Sequence, residues 1–180
     1  RDMLLRSARM RQGSARRAEE EAICMQLTDI LKATCVKVPL VAADKETALY
    51  ELVDLLSEHH EIPDTQLLRD AVWQREQTRT TGIGHGIGIP HGKTDCIKSL
   101  CMAIGIPQSP LEFGAIDGKP VEIILLLASP ADQTSQHVQA LARISRLLTD
   151  EDFRESAKRV QDGQSLYDMI AQQEAQITGA

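Results

Sequence analysis

Aromatic side chains are nearly missing from this chain: one tryptophan, two tyrosines and two phenylalanines make up 3% of its 180 residues. Its core must therefore rest on Leu, Ile, Val and Ala, which form 42% of the sequence together with the other apolar types. Long apolar runs are missing as well. The longest, Ile123–Ala128, has the length of a strand and falls far short of the ~20 residues of a membrane-spanning helix. The N-terminus has no apolar segment of the kind a secretory leader carries, so a cytoplasmic location is expected. The four cysteines, Cys24, Cys35, Cys96 and Cys101, contain no C-x-x-C pair. That spacing gives no zinc site, and an intracellular setting leaves free thiols as the expectation.

Basic charge is scarce outside one segment. Residues 1–17 carry six arginines and one aspartate, a local +5, so a formal net charge of −6 leaves −11 on the rest. An acidic body argues against nucleic acid as the partner. Residues 1–24 have no clear amphipathic period and read as a basic extension or linker. A globular domain is expected over 25–175, followed by a short tail at 176–180.

Within the domain, helix and strand periods alternate. A short helix is expected at Thr28–Lys32 and a short strand at Cys35–Pro39. Asp44 is placed to cap a helix over Lys45–His59, with Leu49, Leu52, Val53 and Leu56 on one face. His59-His60 at its end reads as a solvated pair. A second helix starts after Asp64 with Leu67, Leu68, Ala71 and Val72 inward, and ends before Thr78. Ile87–Pro90, Ser99–Pro107 and 120–129 read as strands, the last two apolar on both faces and hence central in a covered sheet. Phe113–Pro120 is turn chemistry, with Asp117-Gly118 the sharpest signal. Thr134 or Ser135 would cap a helix to Leu148 with Val138, Leu141, Ile144 and Leu148 apolar. Two further helices are expected near Glu151–Val160 and Ser165–Gln172. Strands covered by helices on both sides make a three-layer α/β/α sandwich.

The chemistry concentrates in Thr81-Gly-Ile-Gly-His-Gly-Ile-Gly-Ile-Pro-His-Gly-Lys93. Alternating glycines lead through a proline to His91, a titratable ring on a stretch of backbone that another molecule can approach closely. A dinucleotide fingerprint needs G-x-G-x-x-G, which no register here supplies. A P-loop needs four residues between its glycines, and Gly86 to Gly92-Lys93-Thr94 has five, which would displace the phosphate-cradling amides.

With its surroundings, this segment resembles the active-site region of the type-2 EIIA domains of the phosphoenolpyruvate-dependent phosphotransferase system, in the fructose/mannitol and nitrogen-regulatory class. The likeness runs from Arg75-Glu76 through Thr80–Lys93. It continues in Phe113–Val121, Ala128-Ser-Pro-Ala-Asp132 and Gln136-His137, over roughly residues 26–172, one domain of ordinary size. It implies a mixed central sheet in the sandwich and a phosphocarrier with no cofactor or metal. His91 would be the phosphorylated histidine, receiving phosphate from the carrier protein HPr and passing it to a cysteine on an EIIB domain. Arg75 matches the family's arginine beside the site and His137 its second histidine. The sugar itself would not be bound. His85 stands where asparagine is common and reads as a wall of the pocket. Gly88 replaces a frequent alanine, and Lys93 reads as a solvated rim residue. Transport and nitrogen-type regulation, in which phosphorylation controls binding to target proteins, share this motif, so both readings stay open here. A P-loop-like ATPase is disfavoured by the loop length and the lack of a clear Walker B acid.

Overall fold

The computed structural model describes residues 25–178. The basic extension at 1–24 lies outside the described residues, as does the end of the expected tail, 179–180. A six-stranded mixed sheet runs through the middle. Its strands are β1 (Leu31–Leu40), β2 (Gly82–Gly84), β3 (Ile87–Gly88), β4 (His91–Thr94), β5 (Cys101–Pro107) and β6 (Ile123–Pro130). Five α-helices accompany them: α1 (Lys45–His59), α2 (Thr65–Thr78), α3 (Thr134–Leu147), α4 (Glu151–Ala157) and α5 (Gly163–Thr178). Helices α1 and α2 pack together on one face, while α3 and α5 pack together on the other. This is the expected three-layer arrangement.

The strand order is β1-β5-β6-β3-β2, with β4 also paired to β6. β5 and β6 are antiparallel to one another and buried at every residue, as two-sided apolar runs should be. β3 and β4 lie parallel to β6 along the same edge, at Ile123–Ile124 and at Leu127–Pro130 respectively. They are thus two halves of one strand, interrupted at Ile89-Pro90. Proline has no N–H for a ladder, and here its carbonyl accepts from Leu127 instead, at 3.0 Å. The strand expected over Ile87–Pro90 therefore stops early and resumes at the histidine.

Local signals explain the first two helices. Asp44 accepts from the Thr47 amide and Asp64 from the Leu67 amide, both at 2.9 Å, each a side-chain N-cap. On α2 the buried face is Leu68, Val72 and Glu76, whereas Leu67 is 46% exposed. That helix also runs through Thr78 instead of ending before it. The His59-His60 pair is half-buried, because β1 lies beside it and Lys32 donates to the His59 carbonyl.

Other expectations fail for long-range reasons. No helix forms at Thr28–Lys32; a 3-10 turn at Leu27–Asp29 leads straight into β1. The carboxylate of Glu174, on α5, accepts from the Leu27 and Thr28 amides at 2.6 and 3.1 Å, which satisfies donors a helix start would leave open. On α3 neither Thr134 nor Ser135 caps: Gln133 holds the cap position without a side-chain bond. The buried stripe is His137, Ala140, Ile144 and Leu147, and Val138 is 59% exposed. Ile144 and Leu148 are buried as expected and Leu141 packs against the core, but at the first turn His137 and not Val138 faces inward. α4 ends at Ala157, short of Val160, and α5 continues past Gln172 to Thr178.

Candidate functional site

The glycine-rich segment folds as a hairpin with a two-residue turn. β2 and β3 are joined by His85-Gly86, with φ of 56° and 75°, the positive pair a type I′ turn requires. Asp117 holds the turn, accepting from the His85 amide at 2.9 Å. His85 is exposed at this corner and lines a separate cleft with Lys119 and Lys158. It is therefore no wall of the His91 pocket, because the turn carries its side chain away.

The glycines are not mainly an open approach for another molecule. Most of Thr81–Pro90 is buried, with Ile83 and His85 the exposed exceptions. A Cβ on Gly92 would lie 2.9 Å from Val72 Cγ2 and 3.1 Å from the Val72 amide of α2. A Cβ on Gly82 would lie 2.8 Å from the Ala115 Cα. Both glycines let the chain's own helix and loop come close. The partner-facing clearance expected of them is thus used mainly for internal packing.

Glu76 locks this packing from beneath. Only 4% exposed, it accepts from the Thr81 amide and hydroxyl and forms an ion pair with Lys45. Lys45 also donates to the Phe113 carbonyl at 2.7 Å and lies over the Phe113 ring. The end of α2, the start of α1 and the Phe113–Pro120 turn are thereby tied to the residue that opens the hairpin.

His91 is the first residue of β4 and is half-buried. Its Nδ1 lies 2.9 Å from the Ile89 carbonyl. A carbonyl can only accept, so Nδ1 carries the hydrogen and Nε2 of the neutral ring keeps a free lone pair. The His137 ring stands edge-on to it, with centroids 5.4 Å apart and planes at 64°. A cavity of about 320 Å³ opens beside His91, bordered by Arg75, Thr80 and Gly82 on one side and Leu141 and Ser145 of α3 on the other. Ile83 and Ile116, 41% and 71% exposed, add an apolar rim. Arg75 donates to the Arg79 carbonyl at 2.9 Å, which folds its side chain over the cavity edge. Lys93 is exposed and donates to Thr134 at the start of α3, in keeping with its reading as a rim residue. Among the described residues no group of His, Cys, Asp and Glu is arranged to hold a metal, and no helix is long and apolar enough to cross a membrane.

Charge and burial set the protonation. Burial first, then the nearby Arg75 and Lys93 cations, push His91 below the usual imidazole range, against a rise from the Ile89 bond. His137 is pushed down to about 4 by burial, then by His91, Lys93 and Arg75. Both rings are neutral near pH 7. Burial pushes Cys101 up to about 12, which leaves that thiol inert.

A stability prediction follows for His137. Its folded value lies below the unfolded value of ~6.5, so the unfolded chain binds more protons between the two. The ring's contribution to stability is expected to be whole above about pH 6.5, to fall as pH drops toward 4, and to change no further below that. Melting curves of wild type and His137→Gln from pH 7.5 to 4 check this: the wild-type curve should lose more than the variant. Parallel losses would refute it.

The structure places Arg75 and His91 on one cavity, with the His137 ring packed edge-on against His91. Sequence reasoning gave no separate role to Glu76 or to the two apolar residues on the rim. Glu76 had one available signal, its place four residues after Val72 on the buried face of α2.

Residues 29–173 match the family described as phosphoenolpyruvate-dependent sugar phosphotransferase system, EIIA 2. The fructose-specific EIIA component of Haloferax volcanii is 34% identical over 153 residues, covering 82% of this chain and 98% of that protein. The nitrogen regulatory protein of Escherichia coli K12 is 31% identical over 153 residues, covering 83% and 92%. Against the longer fructose-specific EIIABC component of Bacillus subtilis, at 29% identity, the chain spans 23% of the relative's length. Among solved structures, nitrogen regulatory protein IIA-Ntr from Neisseria meningitidis superposes with a TM-score of 0.74 at 26% identity, covering 80% of this chain and 98% of that one. The E. coli mannitol IIA, solved in complex with phosphorylated mannitol IIB, gives 0.68 at 19% identity, covering 79% and 99%, and shares the fold. The chain thus belongs to the EIIA type-2 family of the phosphoenolpyruvate-dependent sugar phosphotransferase system.

Proposed function

We propose that this domain is a phosphocarrier in which His91 Nε2 takes a phosphoryl group from a phosphohistidine donor of the HPr kind and passes it to a cysteine on an EIIB domain. The observation that carries this reading is the Nδ1–H bond to the Ile89 carbonyl. It leaves Nε2 bare and fixes the ring, which is what a nucleophile held for in-line attack needs. As the Nε2–P bond forms, the bond from phosphorus to the donor's ring nitrogen breaks. The ring keeps its Nδ1–H throughout and becomes positively charged, so it remains a good leaving group for the next transfer.

Charge stabilisation falls to the surroundings, as phosphoryl transfer requires. Arg75 at the cavity edge presents a planar set of donors to the equatorial oxygens. His137 offers a neutral ring from the other side. The same cations that lower the pKa of His91 therefore favour the phosphorylated state. The apolar rim at Ile83 and Ile116 suits the docking of a protein partner, and the fructose-specific relative supports a transport role.

A second reading is favoured by the similarity to nitrogen regulatory proteins, in sequence and in fold. There the phosphorylation state of His91 governs which target protein is bound. Incubation with phosphoenolpyruvate, enzyme I and HPr should give an acid-labile, base-stable label on wild type, and its absence would overturn both readings. Offered a set of EIIB domains, the labelled protein should lose its label to an EIIB cysteine; retention against all of them selects the regulator.

Arg75→Ala and His137→Ala are each expected to slow labelling by about ten- to a hundredfold with the melting point little changed for Arg75→Ala. Arg75→Lys should recover part of the rate, since it restores charge without the planar fork. Quench-flow labelling at fixed HPr reads both, and wild-type rates in the alanine variants would refute the roles.

A further inference from the structure

Ser129 is the last but one residue of β6, fully buried at 0% exposure, in a strand that is otherwise apolar up to Pro130. A polar group in such a place needs a partner, since a buried hydroxyl left unpaired costs about 1–3 kcal/mol. Its Oγ lies 2.6 Å from Nδ1 of His137, itself 5% exposed, and this is the one hydrogen bond its side chain makes among the described residues.

Two arrangements fit that distance. In the first, Nδ1–H donates to Oγ; the serine hydrogen then has no acceptor, and the Nε2 lone pair of His137 is left as the ring's other pole. In the second, the hydroxyl donates to a bare Nδ1, which uses the only hydrogen the serine has and places the ring's hydrogen on Nε2. The second gives the buried serine hydrogen its acceptor and moves the ring hydrogen to Nε2, which is not among the fully buried unpaired atoms, so it wins on hydrogen-bond accounting. It also decides what the ring can do. A neutral imidazole with Nε2–H can donate to an anion, whereas one with a lone pair at Nε2 repels it.

The register of the sheet makes the pair local to the site. β4 runs parallel to β6 with His91 opposite Leu127 and Lys93 opposite Ser129. Residues two apart on a strand share a face, so His91, Lys93 and Ser129 all point to the side where α3 brings His137. We infer that Ser129 is a positioning residue: by donating to His137 Nδ1 it fixes the tautomer whose Nε2–H can bond to a phosphoryl group on His91. This rests on the phosphocarrier reading for its last clause only; the tautomer itself does not depend on it.

The test reads the two levels separately. With histidine ring nitrogens labelled with ¹⁵N, and His137 assigned by loss of its signals in His137→Gln, wild type at pH 7 without any phosphoryl donor should show Nε2 protonated and Nδ1 bare. A protonated Nδ1 overturns the inference. Ser129→Ala should move the Nδ1 signal as its donor is lost, and Ser129→Thr should restore it. The alanine variant should also lower the maximal rate of labelling by HPr about two- to tenfold, the worth of one hydrogen bond. The HPr concentration at half-maximal rate should not change, because Ser129 is shut off from any partner. An unaltered Nδ1 signal or an unaltered rate in Ser129→Ala overturns the positioning role. Should that variant not fold, the wild-type spectrum and Ser129→Thr still decide. If wild type takes no label at all, the phosphocarrier reading falls while the tautomer result stands.

Discussion

Alanine at position 91 is expected to abolish phosphoryl labelling, to below about one thousandth of the wild-type rate, because the attacking nitrogen is gone and no neighbour can replace it. The nearest ring, His137, is 5% exposed with Nδ1 engaged by Ser129; it can neither reach a donor protein nor turn toward one. His85 lies at the hairpin corner on a different cleft. The fold should survive, since the His91 side chain is half-buried and its ring makes a single hydrogen bond among the described residues, to the Ile89 carbonyl. Labelling and melting measured on the same preparation separate lost chemistry from lost structure. A label that persists on folded His91→Ala would sink the assignment, and mapping it would show which nucleophile had been overlooked.

The second large effect is on stability. Glu76→Ala is expected to cost about 3 kcal/mol, the low end for removing one partner of a buried ion pair. Lys45 loses its partner, and the Thr81 amide and hydroxyl lose their acceptor in a buried place. For a domain of this size that is a fall in melting temperature of roughly 6–12 °C. Glu76→Gln should fall less, since its amide oxygen can still accept from Thr81 while the charge on Lys45 goes unmatched. A drop of less than about 2 °C in the alanine variant would show that the network is not what holds the hairpin. Labelling should also slow, since Thr81 opens the segment that ends at His91.

Much of this was legible in the sequence where the cause is local. Asp44 and Asp64 cap the helices expected of them, and the two-sided apolar runs at Cys101–Pro107 and Ile123–Pro130 are the buried central strands. Arg75 and His91 share a cavity, and the His137 ring stands against His91. The failures have distant causes. The start of β1 resembles a helix in sequence because Lys32, Thr34 and Lys37 interrupt its apolar pattern, and the Glu174 carboxylate that organises its start lies 147 residues from Leu27 in sequence. On α3 the expectation fails only at its first turn, because periodicity counts apolar side chains and the residue turned inward there is His137, with Val138 exposed. Ser129 was passed over as one more residue in a strand, since its partner becomes visible only when α3 is laid across β6.

The interrupted strand has a further consequence for how the domain tolerates change. β6 acts as a ruler: its first residues align the hairpin through Ile123 and Ile124, its middle fixes His91 opposite Leu127, and its end sets Ser129. An added or deleted residue between Ile124 and Ser129 would turn Ser129 to the opposite face and shift the histidine out of step with its neighbours at once. The connection from Gln108 to Glu122, largely exposed in its middle, carries no such constraint at Gly118-Lys119. Length variation in this domain should therefore be absorbed in that loop and refused by a single eight-residue strand.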